Sequence, residues 1–130
     1  RLNNGGFLII DYGYINKEMK NTLQAVSKHK YADILESFSN SDITYNLNFS
    51  LINKIVKKFG SFLQITTTQK KFLLKVGILN RAEILSKNMT FGKKADMYFR
   101  IKRLIDKKEM GNLFKVFFVT NKKNKFKLGF

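Results

Sequence analysis

The fold this sequence predicts is an α/β sheet covered by helices on its faces, and three observations predict it. Segment types alternate along the chain in the order strand, loop, helix, strand, helices, strand, as in layered α/β proteins. The first strand candidate, Phe7–Ile10, is a continuous apolar run, the pattern of a buried strand, and the last, from Leu113 to Thr120, is apolar and rich in Phe and Val. A length of 130 residues, 44% of them hydrophobic, is enough for one domain, or part of one, and argues against full disorder.

Each element has a local reason. Gly5-Gly6 precedes Phe7-Leu8-Ile9-Ile10, and Asp11-Tyr12-Gly13-Tyr14 follows, so the first strand reads as a buried parallel one that ends in an acid and a glycine. From Ile15 to Thr44 the periodicity is weak, and the stretch reads as mostly loop with short pieces of structure. A loop that long is unusual in a compact domain and often functional. Asn48 or Ser50 can cap the next helix, and Phe49, Ile52, Ile55, Val56 and Phe59 fall at helical spacing on one face, with Gly60 as the stop. Phe62 to Thr68 is a second strand. Gln69 to Val76 is helical with Phe72, Leu73 and Val76 inward, and Gly77 ends it. A short helix follows around Leu79, Ala82, Ile84 and Leu85. Ala95 to Lys108 is the longest amphipathic helix, with Met97, Tyr98, Ile101, Leu104 and Ile105 facing in. Asn121 to Phe130 is a lysine-rich tail expected to fray. An apolar strand at the start of the chain calls for neighbours on both sides, because sheet edges are normally blunted with charge. The sequence therefore predicts an N-terminal half that pairs with Phe7–Ile10.

Composition excludes several function classes. With no Cys, a disulfide scaffold, a cysteine zinc site and a cysteine nucleophile are ruled out, and a single His leaves little for a metal site. No apolar run approaches the roughly 20 residues that span a bilayer. The net charge of +16 comes from 25 basic and 9 acidic residues, and the basic ones are nearly all Lys, with Arg only at 1, 81, 100 and 103. Arg dominates base and phosphate-fork recognition. Surplus Lys, Asn, Ile and Phe, with no Pro, fits coding drift in an AT-rich genome, and no specific nucleic-acid partner is expected. The rival reading of the charge is a lysine-rich α/β binding module for nucleic acid or an acidic protein.

Five blocks in register carry a family resemblance: GGFLIIDYGY, NTLQAVSKHKYADIL, SDITYNLNFS, TQKKFLLKVGILNRAEIL and EMGNLFKVFFV. In this order they resemble the C-terminal half of the MidA family of S-adenosylmethionine-dependent methyltransferases, from Gly5 to about Thr120. The resemblance implies a class I methyltransferase fold, a Rossmann-like sheet in which Phe7–Asp11, Phe62–Thr68 and Leu113–Thr120 are the fifth, sixth and seventh strands. The last strand would run antiparallel between the other two, after a helical insertion. Residues 1–120 would then be half of a methyltransferase domain and residues 121–130 a basic tail. The family's glycine-rich cofactor loop has no counterpart here, so the S-adenosylmethionine site would be completed by the N-terminal half.

The activity the resemblance implies is methylation of a protein arginine, linked to assembly of respiratory complex I, with one of its subunits as acceptor. The location would be the cytoplasm in a bacterium or the mitochondrial matrix in a eukaryote. Asp11, at the carboxyl end of the first strand, is the candidate to hold a guanidinium through charge-assisted bonds, the alternative being a strand-terminal turn cap. Tyr12 and Tyr14 are candidates to wall the catalytic site. Thr22, Gln24 and Gln69 are candidate substrate contacts, each equally able to satisfy loop backbone. His29 reads as a loop histidine, with a general-base role as its alternative. The chain alone is expected to be inactive, and an inactive remnant of a split gene is the remaining alternative.

Overall fold

The computed structural model describes residues 5–28, 30–35, 40–124 and 129–130. Its main sheet has four strands in the order β5-β1-β7-β6. They are β1 (Gly6–Tyr14), β5 (Leu47–Asn48), β6 (Phe62–Thr68) and β7 (Phe114–Asn121). Strand β7 runs antiparallel to both neighbours, from Gly6↔Thr120 to Tyr12↔Phe114 on one side and from Phe62↔Asn121 to Thr68↔Lys115 on the other. The last strand therefore lies between the two strands assigned as fifth and sixth, as the resemblance implies.

Strand β7 is the centre of the core because both its faces are covered. On one face Phe117 and Val119 pack with Phe49 of helix α1 (Phe49–Lys58), and Ile9, Ile52, Val56 and Phe62 close around them. On the other, Phe118 stacks on Phe130, which in turn packs on Phe72 of α2 (Gln69–Lys75). Thr120, fully buried, is satisfied: its hydroxyl donates to the Gly5 carbonyl at 2.8 Å and accepts from Asn124 Nδ2 at 3.0 Å. The outer helical layer is α3 (Ile78–Ser86), α4 (Phe91–Ile105) and α5 (Met110–Leu113), and α4 packs on α2, α3 and α5.

Five sequence expectations need correction. Strand β1 is longer than Phe7–Ile10, and it is not buried on both faces: Ile9 packs into the core, whereas Phe7, Leu8 and Ile10 are exposed. Among the described residues it is parallel only to β5, at Gly13↔Leu47 and Tyr14↔Asn48. The stretch 15–44 is not mostly loop, because β2 (Gln24–Ser27), β3 (Lys30–Ala32) and β4 (Asp42–Thr44) make a second, antiparallel sheet in the order β3-β2-β4. Strands of three or four residues, half exposed, are too short to print an alternation. The longest helix starts at Phe91 and stops at Ile105, because Asp106 turns the chain, its carboxylate taking the Lys108 N–H at 2.8 Å. Several apolar residues expected inward are exposed: Ile55, Phe59, Val76, Leu79, Ile84, Leu85 and Tyr98. The tail does not fray at its end, where Phe130 is packed.

Candidate functional site

Open α/β sheets place ligands at the carboxyl ends of their parallel strands. Here that is the end of β1, beside β5 and the first turn of α1. Gly13 lets these parts close on one another. A Cβ there would run into the Leu47 carbonyl oxygen and, at 2.6 and 2.8 Å, the Phe49 ring. Asn48 then starts α1: its Oδ1 accepts the Leu51 N–H at 3.1 Å, while its Nδ2 reaches the Glu18 carbonyl at 3.5 Å. A cleft of about 400 Å³ opens between this corner and the loop after β1, lined by Tyr14, Met19, Thr22, Tyr45, Leu51 and Ile55 among others.

The predicted residues separate within this frame. Tyr14 lines the cleft, and its hydroxyl accepts the Lys20 N–H at 2.9 Å while the Lys20 ammonium stands 5.6 Å from the ring centroid. It thus pins the loop as well as walling the cleft. Thr22 also lines it, with Oγ1 accepting the Asn46 N–H at 3.0 Å. Asp11 lies two residues before Gly13 and so on the same face of β1, outside the cleft lining. Its Oδ1 accepts the Tyr12 N–H at 2.8 Å, and its other oxygen has no bond within the protein among the described residues.

The register partner of Asp11 is Lys115, whose ammonium is turned away to the Asn112 and Leu113 carbonyls. Burial lowers the Lys115 pKa from its ordinary value. Tyr12 faces the opposite side of the sheet from Asp11 and packs on Phe114, with ring centroids 4.7 Å apart. Gln24 sits in β2, opposite Thr44 and outside the cleft lining. Gln69 is buried elsewhere, its Nε2 donating to the Leu104 carbonyl at 2.9 Å, so it ties α2 to α4. His29 lies outside the described residues.

The cleft's apolar wall was missed in the sequence. Leu51 and Ile55 are partly exposed because they face the cleft rather than the sheet. A signal existed: α1 carries more large apolar residues than one sheet contact uses.

The residues present do not make a complete site for an adenosyl cofactor. Among the described residues, the cleft lining contains no glycine and no carboxylate to take ribose hydroxyls. The space beside Gly13, the glycine at this end of β1, is filled by Leu47 and Phe49 rather than left open for a ligand.

A Rossmann-like sheet with its last strand reversed, and a cleft at the carboxyl end of a parallel strand, define the methyltransferase class of α/β proteins. Residues 1–67, just over half of the chain, match the model of a family described as "Putative S-adenosyl-L-methionine-dependent methyltransferase", and the chain belongs to that family. It is 29% identical over 117 residues to the mitochondrial protein arginine methyltransferase NDUFAF7 of Danio rerio, a match covering 90% of this chain and 27% of the relative. With the Xenopus tropicalis counterpart the identity is 30% over 116 residues, covering 88% and 26%. The chain thus spans about a quarter of the length of these curated relatives. A COG1565 superfamily crystal structure from Burkholderia thailandensis superposes with a TM-score of 0.78 at 27% identity, covering 98% of this chain and 35% of that one. Another from the same organism, bound to S-adenosyl-homocysteine, gives 0.79 at 25% identity over 97% of this chain and 34% of that one. S-adenosylmethionine is the cofactor of the family.

Proposed function

We propose that this chain forms the acceptor side of an S-adenosylmethionine-dependent protein-arginine methyltransferase. The observation that carries the reading is the Asp11 carboxylate, three residues before the end of β1, which accepts the Tyr12 N–H through one oxygen and has no protein partner on the other among the described residues. The names of the curated relatives supply the arginine. When bound, the cofactor supplies an electrophilic methyl group. The chain's own work is positional: Asp11 holds a guanidinium by charge-assisted bonds and orients one nitrogen, and Tyr14 with the apolar wall of α1 excludes water from the neighbouring cleft.

The second part of the proposal is the rest of the site. β5 covers only Gly13 and Tyr14, so the outer edge of β1 from Gly6 to Tyr12 is unpaired among the described residues. A further strand, from an N-terminal half that carries the glycine-rich loop, completes the sheet there, with residues 1–120 as the C-terminal half and residues 121–130 as an appended basic tail. On the family resemblance, the acceptor is a subunit of respiratory complex I, and the location is the mitochondrial matrix in a eukaryote.

The test is reconstitution. The chain is mixed with the N-terminal portion of a relative, methyl-labelled S-adenosylmethionine and an arginine-bearing protein acceptor. Label should transfer only with both parts present, and Asp11→Asn should lower transfer about a hundredfold, because the acceptor loses its orientation. Cofactor affinity of the assembled pair should stay unchanged. Full transfer by Asp11→Asn, or submicromolar cofactor binding by the chain alone, would refute the reading.

A further inference from the structure

Helix α4 has an outer face that the methyltransferase reading leaves unused. Its inner face, with Met97, Ile101, Leu104 and Ile105, rests on other helices. On the outer face Phe91, Ala95 and Phe99 follow one another at four-residue spacing, which puts the two aromatic rings on one side about 12 Å apart. Phe91 is 88% exposed and Phe99 63% exposed. Between positions 93 and 109 the chain carries seven basic residues against three acidic ones. Two of the three acids are already engaged: Asp96 pairs with Arg100 at 3.0 Å, and Asp106 takes the Lys108 N–H. Shallow hollows flank Phe99, one lined by Lys102, Arg103 and Lys108 together with Asp106 and Glu109, the other by Arg100 and Arg103 with Asp96.

We propose that this face of α4 docks on an anionic lipid surface. The argument is exposed aromatic surface together with charge. The two exposed rings stand on one side of the helix, and cations stand beside them where lipid phosphates would lie, an arrangement that suits a deformable interface. The helix lies on such a surface rather than crossing it, since no helix among the described residues is long and apolar enough to span a membrane. It belongs to the helical layer beyond α2, whereas the open sheet edge is that of β1, so the two surfaces are distinct.

The absence of Trp makes the test direct. Phe99→Trp places the only indole of the chain at the proposed contact, and Phe59→Trp, at the exposed end of α1, is the control. Mixed with phosphatidylcholine–phosphatidylglycerol vesicles, the Phe99→Trp protein should show a blue-shifted emission that brominated lipid quenches. The Phe59→Trp protein should show neither effect, and phosphatidylcholine vesicles should give neither for both proteins. In vesicle sedimentation, Phe91→Ser with Phe99→Ser should weaken binding about tenfold or more. Lys102→Glu with Arg103→Glu should also weaken it, and salt should weaken wild-type binding. Wild-type binding that ignores the two Phe substitutions would overturn the proposal, as would an unshifted Phe99→Trp spectrum. A Phe99→Trp signal that responds to a single-stranded polynucleotide and not to vesicles would overturn it in favour of nucleic acid.

Discussion

Gly13→Ala is the substitution whose cost is best defined by the geometry of the site. The added methyl points at two things that cannot move cheaply. One is the Leu47 carbonyl, held by the parallel pairing of β5 with β1. The other is the ring of Phe49, fully buried and packed on Phe117 with centroids 6.4 Å apart. Overpacking a core site costs about 1–3 kcal/mol, and here the upper part of that range applies because one of the blocking atoms is backbone. The unfolded chain loses freedom when Gly becomes Ala, which returns about 0.4–1 kcal/mol. The net expectation is a loss of about 2 kcal/mol.

Gly77→Ala is the matched control. Gly77 has φ +83° and open space where its Cβ would go, so Ala meets strain but no collision. A left-handed non-glycine residue costs about 1–2 kcal/mol, and the same entropy return leaves a net loss near 1 kcal/mol or below. Urea unfolding followed by circular dichroism gives both values if the slope stays constant. A Gly13→Ala loss no larger than that of Gly77→Ala would show that β5 and α1 do not close on β1 as described, and the cleft they form would lose its basis.

Other outcomes follow from single contacts. Gln69→Leu should cost about 1 kcal/mol, because the part-buried bond from the Gln69 amide to the Leu104 carbonyl is lost, and it should leave methyl transfer by the reconstituted enzyme unchanged. Asn48→Ala should cost about 1 kcal/mol through the cap of α1. Lys115 has a folded pKa below its ordinary 10.5, so folding disfavours its charge, and that penalty is fully present below the folded pKa and relieved as pH rises toward 10.5. The stability of wild type relative to Lys115→Met, measured by urea unfolding, should therefore improve over that alkaline window; an unchanged difference would contradict it. On β1, Ile10→Lys should reduce edge-to-edge association in sedimentation while the fold persists, whereas Ile9→Lys should unfold the chain, since Ile9 alone of the two packs on the core.

Much of the fold was legible because its elements carry their own punctuation. Strand β6 coincides with its expected span, and Asn48 caps α1 as its residue type predicts. What stayed hidden depended on distant chain. Phe7, Leu8, Ile9 and Ile10 look alike in sequence, and only the position of β7 and α1 decides that Ile9 is inside. The sheet β3-β2-β4 is held by pairings across up to twenty residues, such as Gln24↔Thr44, which no local pattern encodes.

The candidate site was legible at the level of its strand and not at the level of its side chains. Position at the end of β1 marked out Asp11, Tyr12 and Tyr14 together, yet a strand sends neighbouring residues to opposite faces. Asp11 therefore keeps an open oxygen on the α1 side while Tyr12 is spent on Phe114. Gln69, a polar residue after a strand that reads in sequence as a candidate ligand contact, has its Nε2 bonded to the Leu104 carbonyl 35 residues away, which no local pattern shows. Among the apolar residues, helical spacing puts Ile55 inward and assigns Leu51 no role. Leu51 and Ile55 belong to a helix that reads as core, and they wall the cleft because α1 covers the sheet with only part of its apolar stripe. The polar groups of this corner, on Tyr14, Thr22 and Asn48, are mostly engaged in fastening loops to one another. On the proposed function, such fastening would keep the cleft wall in place while Asp11 orients an acceptor nitrogen.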